Sequence, residues 1–257
     1  MFTIITSPLV AVRAEAGEKS EMVTQLLFGQ QIEILEKEDN WLQIRNLTDD
    51  YIGWISKSCV SSKNFTENAI NTTKFKAAKT PLLVCFKTSS VEKIILPGGS
   101  LLPPIKNDQF ELLGEIYQIA QLEPVYTKNN NGQHVVELAS QFTNAPYLWG
   151  GKSMLGIDCS GLTQVIYSMI GVNIPRDASQ QVELGKVVDF LSEVEPGDLA
   201  FFQNEEGDII HVGVLANSHQ IIHASGYVKK EIIDAQGIIS SQTGKYSHQL
   251  RVIKRIL

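Results

Sequence analysis

The chain has 257 residues, of which 43% are hydrophobic and 19% are charged, with 22 basic and 28 acidic side chains and a net charge of −6. This composition is typical of a globular protein of two or three compact units and excludes a disordered or fibrous chain. The acidic excess argues against a nucleic-acid partner, and apolar runs such as residues 10–12 and 82–86 are far shorter than the roughly 20 residues of a membrane span.

The first 22 residues are not typical of a secretory signal. They hold one early basic residue, Arg13, followed by glutamates rather than by a long apolar run. Cys59, Cys85 and Cys159 form an odd set without the spacing of a zinc site. We therefore expect a cytoplasmic protein with no disulfide framework, no metal and no cofactor.

Residues 1–63 have the pattern of short strands separated by turn residues. The strand-like segments are 9–12, 31–35, 42–45 and 51–55. Gly17, Gly29 and the pair Asp39-Asn40 lie between them. Strands spaced this closely predict a small closed barrel.

Residues 64–128 carry a weaker version of the same pattern. Segment 81–85, Pro-Leu-Leu-Val-Cys, is similar to segment 8–12, Pro-Leu-Val-Ala-Val. The sequence leaves open whether this region is a second barrel or a connector. A turn-forming run, Asn-Asn-Asn-Gly at 129–132, then marks a boundary, so residues 129–257 are predicted to form a separate domain.

Two helices are predicted to open this last domain. Apolar residues recur at helical spacing over 135–142 and stop before Pro146. The second helix has Asp158 as its N-cap, an apolar stripe over 162–170 and Gly171 at its end. Strand patterns follow at 198–203, 209–216, 220–225 and 251–257. Helices followed by an antiparallel sheet predict an α+β domain.

Cys159 directly follows the predicted N-cap, so its sulfur is expected in the first turn of a helix. The partial positive charge of a helix N-terminus stabilises a thiolate, and we expect it to lower the pKa of this thiol. An isolated cysteine is more often a small buried hydrophobe, which is the interpretation we prefer for Cys59 and Cys85. A nucleophilic Cys159 needs a base within hydrogen-bond reach and a third group that orients the base.

Two histidines, His211 and His223, fit these roles by their positions in neighbouring strand segments. With a loop over 217–219, Gly213 faces His223, and His211 becomes a diagonal neighbour of His223 on the same face. A two-residue loop would instead place the two histidines on opposite faces. Each histidine taken alone could also be a structural residue of the sheet.

Six short motifs follow one another in the last domain. They are Tyr147-Leu148-Trp149-Gly150-Gly151, Asp158-Cys159-Ser160-Gly161-Leu162, Pro175-Arg176-Asp177, Pro196-Gly197-Asp198-Leu199, His211-Val212-Gly213 and Ile222-His223-Ala224. With these motifs, residues 130–257 resemble the NlpC/p60 family of bacterial cysteine peptidases, papain-like enzymes that cleave cell-wall peptides. The segment from Val10 to Ile55 resembles a bacterial Src-homology-3-like domain.

The resemblance implies a thiol-protease mechanism. Cys159 would attack a peptide carbonyl, His211 would carry the proton to the leaving amine, and His223 would orient His211. The backbone N–H of Cys159 and the hydroxyl of Tyr147 would hold the oxyanion. A core aromatic is the alternative role for Tyr147.

Family members that join such barrels to this domain resemble γ-D-glutamyl-L-diamino acid endopeptidases, which act on peptides with a free N-terminal L-alanine. The implied substrates are the murein tripeptide and tetrapeptide, and the implied role is cell-wall recycling. A buried ammonium needs a carboxylate partner. By resemblance, the substrate-binding residues would be Asp158, Ser160, Asp177, Glu21 and Tyr51. Ala178 stands where many members have Ser or Thr, and the choice between lysine and diaminopimelate is left open.

Three other functions are weighed against this one. An exported autolysin of the same chemistry is the nearest alternative. A non-catalytic module that binds wall peptide is disfavoured because all three triad residues are present, and an acyltransferase is disfavoured because no membrane-seeking segment is identified. Zinc bound by Cys159, His211 and His223 is disfavoured by their wide spacing and by the missing fourth ligand.

Overall fold

The computed structural model describes residues 1–61, 64–120 and 131–257. The chain divides into two compact units: the first holds the described residues up to 120 together with Gly171–Asn173, and the second holds the others from residue 131 onward. The domain boundaries predicted at residues 63 and 128 lie outside the described residues. Among the helices of the described residues, none is long and apolar enough to cross a membrane.

The first unit begins with a six-stranded antiparallel sheet. Its strands are β1 (Phe2–Ile4), β2 (Leu9–Arg13), β3 (Met22–Leu27), β4 (Gln31–Glu38), β5 (Trp41–Asn46) and β6 (Ile52–Ser56), in the order β1-β4-β5-β6-β2-β3. Alternate residues are buried along β2 and β5, which gives the sheet one apolar face. The four predicted strands are present, and β1 and β3 were not predicted. A short 3₁₀ helix, Lys57–Cys59, follows the sheet.

Residues 76–119 form six further strands of the first unit. They are β7 (Lys76–Ala77), β8 (Leu82–Lys87), β9 (Lys93–Pro97), β10 (Leu101–Leu102), β11 (Gln109–Leu112) and β12 (Glu115–Ile119). Four of them form a sheet in the order β11-β12-β8-β9, and β10 pairs with β7. Their apolar core includes Ile4 and Phe28 from the preceding segment. Whether these strands make a second barrel stays a prediction.

Gly29 is required where these two parts of the first unit meet. Its φ of +78° lies in the left-handed region, and an added Cβ would come within 1.7 Å of the carbonyl oxygen of Leu101. Glycine is the residue that tolerates both conditions.

The second unit opens with helices. Its helices are α1 (Gly132–Gln141), α2 (Cys159–Met169) and the single turn α3 (Ala178–Gln181), and a short hairpin of β13 (Lys152–Ser153) and β14 (Gly156–Ile157) precedes α2. The side chain of Asn131 caps α1 by accepting a hydrogen bond from the His134 amide. Helix α2 starts where the sequence predicts, and α1 begins three residues earlier than predicted.

A seven-stranded antiparallel sheet follows the helices. Its strands are β15 (Lys186–Val188), β16 (Leu199–Gln203), β17 (Ile209–Asn217), β18 (Gln220–Ser225), β19 (Tyr227–Ile233), β20 (Gly237–Ile239) and β21 (Tyr246–Arg255), in the order β15-β21-β16-β17-β18-β19-β20. One edge of β21 pairs with β16, and the other edge pairs with β15 near its C-terminal end and with β20 near its N-terminal end. The sheet therefore closes on itself.

Apolar side chains from the strands of the second sheet form a buried core. Helices α1 and α2 contact β17 and β18. The α+β expectation is confirmed in part, because helices precede an antiparallel sheet but most regular structure in the described residues is strand. Strands β15, β19 and β20 were not predicted. Of these, β19 contributes to the site described below.

Candidate active site

Cys159 is the first residue of α2 and is 7% exposed. Its N-cap is Asp158, whose Oδ1 accepts a hydrogen bond of 2.7 Å from the Gly161 amide. The Cys159 sulfur interacts with the backbone N–H groups of Ser160 and Val212. Since Val212 follows His211 in β17, the sulfur lies beside the strand that carries the proposed base.

The helix N-terminus acts on the Cys159 thiol in the expected direction, because the Ser160 N–H lowers its pKa, but the net pKa is raised and not lowered. Burial raises this pKa to about 11, and the Asp158 carboxylate adds to the rise. The two backbone N–H groups and Arg176 act in the opposite direction. Desolvation outweighs them because a thiolate that is removed from water loses more stabilisation from hydration than these donors supply.

The turn between β17 and β18 differs from the predicted one. Asn217 pairs with Gln220, so the turn has two residues instead of three. A regular hairpin with this turn would put the histidines on opposite faces. A β-bulge between Leu215 and Asn217 shifts the register by one residue. His211 and His223 therefore lie on the same face, as predicted, for a different reason.

The two histidines are hydrogen-bonded to each other. Nε2 of His211 lies 2.9 Å from Nδ1 of His223, and the ring planes are almost perpendicular, at 85°. Gly213 permits this approach, since a Cβ there would lie 2.9 Å from the Cβ of His223. With Nε2 of His211 engaged, Nδ1 is the ring nitrogen that remains for the thiol.

Two residues that were not predicted complete the cluster. Oε2 of Glu231, on β19, lies 2.9 Å from Nε2 of His223. The ring of His248, on β21, stacks on that of His211 with a centroid distance of 4.1 Å. Glu231 could have been found only by predicting β19 and its register, because the alternating pattern of that strand gives no sign of the pairing with β18.

Burial keeps both imidazoles of the linked pair neutral. It lowers the pKa of His211 well below 6.5, and His248 and His223 lower it further. It lowers the pKa of His223 to about 4, although the hydrogen bond to Glu231 acts in the opposite direction. At neutral pH the site thus holds a thiol and two neutral rings.

The rings of His211, His223 and His248 each offer a nitrogen within 4.8 Å of the others, a spacing at which a metal ion could be bound. However, the facing nitrogens of His211 and His223 already share a hydrogen bond of 2.9 Å. A metal would have to enter between them, so we assign no metal site. The predicted independence from metal stays a prediction.

Asp158 and Ser160 belong to a buried network with Arg176. Nη2 of Arg176 donates to Oδ2 of Asp158 at 2.5 Å, and Nη1 donates to Oγ of Ser160 at 2.7 Å. Oδ2 also accepts from the Gly150 amide at 2.8 Å. Asp158 thus caps α2 and carries an ion pair at once. Arg176 was noted as part of a motif but was not predicted as a site residue.

The other predicted residues lie as follows. Tyr147 is partly buried and close enough to Cys159 and Asp158 for their charges to affect it. Asp177 is partly exposed at the start of α3. Glu21 is exposed just before β3, and Tyr51 is partly exposed just before β6, both in the first unit. Their predicted contacts with a substrate stay predictions.

Two family models match the chain. Residues 144–254 match the NlpC/P60 family, and residues 12–59 match the bacterial dipeptidyl-peptidase Sh3 domain. The first match spans the predicted Cys159, His211 and His223. The second covers most of the first six-stranded sheet.

Curated relatives are similar over most of the chain. Dipeptidyl-peptidase 6 of Lysinibacillus sphaericus is 30% identical over 250 residues, which cover 88% of this chain and 88% of that protein. Gamma-D-glutamyl-L-lysine dipeptidyl-peptidase of Bacillus subtilis (strain 168) is 29% identical over 216 residues, or 78% of this chain and 71% of that protein. The crystal structure of an NlpC/P60 family protein from Bacillus cereus has a TM-score of 0.81 and 19% identity over the whole of both chains, which is a likeness of fold.

Proposed function

This chain belongs to the NlpC/P60 family of cysteine peptidases and carries an N-terminal bacterial SH3-like domain, and we propose that it hydrolyses the bond between γ-D-glutamate and an L-diamino acid in peptidoglycan stem peptides with a free N-terminal L-alanine. The observation that carries the proposal is the hydrogen-bonded pair of His211 and His223 beside Cys159, whose sulfur interacts with the backbone N–H of Val212, the residue after His211. The Bacillus relatives named for γ-D-glutamyl-L-lysine support the choice of bond.

Catalysis starts from a neutral thiol and a neutral imidazole, because burial opposes charge separation in the closed site. As the Cys159 sulfur bonds to the scissile carbonyl carbon, its proton passes to Nδ1 of His211. His211 then gives this proton to the departing amine, and a thioester remains. Water attacks the thioester while His211 accepts a proton from it, and the thiol is restored when the acid product leaves.

The oxyanion formed in each half-reaction needs hydrogen-bond donors in place. The backbone N–H of Cys159 is one. We assign the hydroxyl of Tyr147 as the other, because this side chain lies close enough to Cys159 for the two groups to interact electrostatically. Its phenol is protonated at neutral pH and can donate.

The substrate ammonium is assigned to the Asp158–Asp177 end of the site. Both oxygens of Asp158 already accept hydrogen bonds, so this carboxylate contributes mainly its charge. Asp177 would meet the ammonium directly, with the Ser160 hydroxyl beside it.

We place the reaction in the cytoplasm, in the recycling of murein tripeptide or tetrapeptide. The requirement of the mechanism for a reduced Cys159 supports this location. The thiol-protease mechanism and the helix that carries its nucleophile also fit the papain-like arrangement expected for the domain.

The test is mass spectrometry of products from purified protein incubated with L-Ala-γ-D-Glu-L-Lys, with its meso-diaminopimelate counterpart, and with N-acetylated copies of both. We expect release of L-Ala-γ-D-Glu from the free-amine peptides only. Cys159→Ala should abolish release, whereas Cys59→Ala, which removes a thiol distant in sequence from the site, should not.

Each other outcome contradicts part of the proposal. Equal cleavage of acetylated peptides would mean an open cleft and would favour the autolysin. Cleavage that survives Cys159→Ala would remove the assigned nucleophile. No cleavage of any peptide would return the chain to the binding-module or acyltransferase readings.

A further inference from the structure

A buried carboxylate on β19 lies behind His223 and has no part in the mechanism above. The Glu231 side chain is 1% exposed. Its Oε2 lies 2.9 Å from Nε2 of His223, and its Oε1 accepts hydrogen bonds of 2.8 Å from both the amide and the hydroxyl of Ser241. Each carboxylate oxygen therefore has its own donor.

Glu231 is ionised at neutral pH. Its burial alone would raise the pKa of the carboxyl, but the Ser241 donors and the hydrogen bond with His223 outweigh burial and lower the pKa to about 2. Nζ of Lys229 lies 3.4 Å from Oε1 and adds a positive charge on the same strand. A carboxylate in this state can only accept hydrogen bonds.

Because Glu231 can only accept, it determines which ring nitrogen carries the proton in His223 and, through His223, in His211. Since Glu231 only accepts, Nε2 of His223 must carry the proton, and Nδ1 of the neutral ring is left as an acceptor. The partner of that Nδ1 is Nε2 of His211, which must then be the donor. Nδ1 of His211 is left unprotonated and can take the thiol proton of Cys159.

The groups that face this cluster come from several elements. Lys229 and Glu231 lie on β19, His211 on β17 and His248 on β21, and Ser241 lies between β20 and β21. His248 and Lys229 both disfavour a positive charge on His223. They therefore favour the neutral ring of His223, whose Nδ1 must stay unprotonated to accept from Nε2 of His211.

We propose that Glu231, held by Ser241, is a positioning residue that fixes the proton of His223 on Nε2 and thereby keeps Nδ1 of His211 ready as the base. This inference rests on the proposed function. It extends the assigned set by a group that touches neither the substrate nor the reacting atoms. The imidazolium of His211 formed during attack also needs an acceptor at its Nε2–H, which only this tautomer of His223 supplies.

Glu231→Gln tests the proposal with almost no change in shape. The amide oxygen of the glutamine would stay with the two Ser241 donors, so its NH₂ group would face Nε2 of His223. His223 would then carry its proton on Nδ1, His211 would have to accept at Nε2, and its own proton would move to Nδ1. A protonated Nδ1 cannot accept the thiol proton.

We expect Glu231→Gln to lower kcat by roughly 10²- to 10⁴-fold, the range seen when a proton-transfer group is lost or held in the wrong tautomer, with little change in KM. In ¹⁵N spectra of labelled histidine at pH 7.5, both rings of the pair should be protonated on Nε2 in the wild type and on Nδ1 in the variant. Single His→Gln changes at His134, His219 and His248 identify the remaining signals.

Asp198→Asn is the matched control, because Asp198 is also a buried carboxylate of the second unit but is paired with Arg255. It should lower stability and leave both the tautomers and kcat per folded molecule unchanged. Wild-type protein with the His223 proton on Nδ1 would overturn the proposal without any variant, and so would unchanged tautomers in Glu231→Gln.

Alkylation of Cys159 by iodoacetamide separates this proposal from the proposed function, because it needs no peptide substrate. If the peptides are not cleaved but Glu231→Gln reverses the tautomers and changes the alkylation rate, the substrate assignment fails and the positioning role stands. If the peptides are cleaved and Glu231→Gln changes neither kcat nor the tautomers, the positioning role fails alone.

Discussion

Burial sets the charge state of the two residues that carry the proposed reaction, Cys159 and His211. Burial raises the pKa of the thiol to about 11 and lowers the pKa of the imidazole well below 6.5. Both shifts disfavour the thiolate–imidazolium pair in the resting site. In the proposed reaction, we therefore expect the proton to be transferred during attack and not before it.

The first prediction concerns the dependence of activity on pH. His211 accepts a proton only when neutral, and its lowered pKa keeps it neutral until the pH falls well below 6.5. We expect the acid limb of kcat/KM to lie below pH 6.5 and the rate of Cys159 alkylation to rise beyond pH 9. An alkylation rate that levels off near pH 7 would instead show a preformed ion pair.

The second prediction concerns Gly213, which allows β17 and β18 to approach each other. In Gly213→Ala the new Cβ would lie 2.9 Å from the Cβ of His223 and 2.7 Å from Cδ1 of Ile221, so the strands must separate. We expect a loss of about 1–3 kcal/mol in the free energy of unfolding and a fall in kcat of at least tenfold, measured by urea unfolding and peptide cleavage.

Gly17→Ala is the control for Gly213→Ala. A Cβ at Gly17 meets no atom within 4 Å, and no left-handed φ is required there. This variant should keep wild-type stability and activity. An active Gly213→Ala enzyme with normal kcat would mean that the distance between the two histidine rings does not limit catalysis.

At the residue scale, the predictable part of the site is the part formed by local sequence. Asp158 and Cys159 follow from a helix start, and His211 and His223 lie in one hairpin only twelve positions apart. Glu231 and His248 are brought in by strand pairings that no local pattern encodes. Whether Glu231 lies beside His223 depends on the register between β18 and β19, and the sequence does not reveal this register.

At the scale of single elements, the N-terminus of α2 is held by Arg176, which is 2% exposed. Its guanidinium bonds to both Asp158 and Ser160. The fork geometry of arginine allows two acceptors to be bound at once. The pair compensates the buried Asp158 charge and reduces its effect on the neighbouring thiol.

The third prediction is that Arg176→Ala destabilises the second unit by about 3–5 kcal/mol, because a buried charge loses its partner. The pKa of the Cys159 thiol should also rise, since Asp158 raises it and the opposing Arg176 is removed. Slower alkylation of Cys159 at pH 8 would show this. Arg176→Lys keeps the charge but cannot bond both partners in the same way, so it should fall between wild type and Arg176→Ala.

Arg45→Ala is the comparison for Arg176→Ala. Arg45 pairs with Glu33 on a partly exposed surface of the first unit, and such pairs contribute about 0–1 kcal/mol. An equal loss of stability from both variants would contradict the special position of the buried pair.

The β17–β18 hairpin shows why an element can be predicted without its detail. Alternation of apolar residues predicts both strands, and the predicted pairing places His211 and His223 on the same face of the hairpin. The bulge between Leu215 and Asn217 was not predicted, because a one-residue bulge centred on Ala216 leaves no mark in composition. The prediction of a shared face survives because the bulge and the shorter turn offset each other.

At the scale of the whole molecule, hydrophobic periodicity identifies which face of a strand is buried but not which strand lies next to it. Helix α2 and strands β16, β17 and β18 were therefore predicted close to their positions. Segment 251–257 was predicted as a strand that could close the second sheet, but the pairings of β21 with both β16 and β20 that close it were not predicted. The same closure brings His248 onto His211, so the missed topology and the missed site residue have one cause.

The buried histidine–glutamate cluster should also make the stability of the second unit depend on pH. The pKa of His223 is about 4 in the fold and 6.5 in an unfolded chain. Between these values the unfolded chain binds more protons, so stability falls as the pH is lowered from 6.5 towards 4. His211 acts in the same direction. Glu231, with a pKa of about 2, adds a further loss below about pH 4.5.

The fourth prediction is that His223 alone contributes a loss of roughly 3 kcal/mol between pH 7.5 and pH 4. Urea unfolding followed by fluorescence of Trp149 in a Trp41→Phe, Trp54→Phe background would report on the second unit, because both replaced tryptophans lie in the first. His223→Gln should flatten the pH dependence while lowering stability at pH 7.5. A dependence equally steep without His223 would assign acid sensitivity to other groups, and a flat wild-type curve would mean that the imidazole is protonated as easily in the fold as in the unfolded chain.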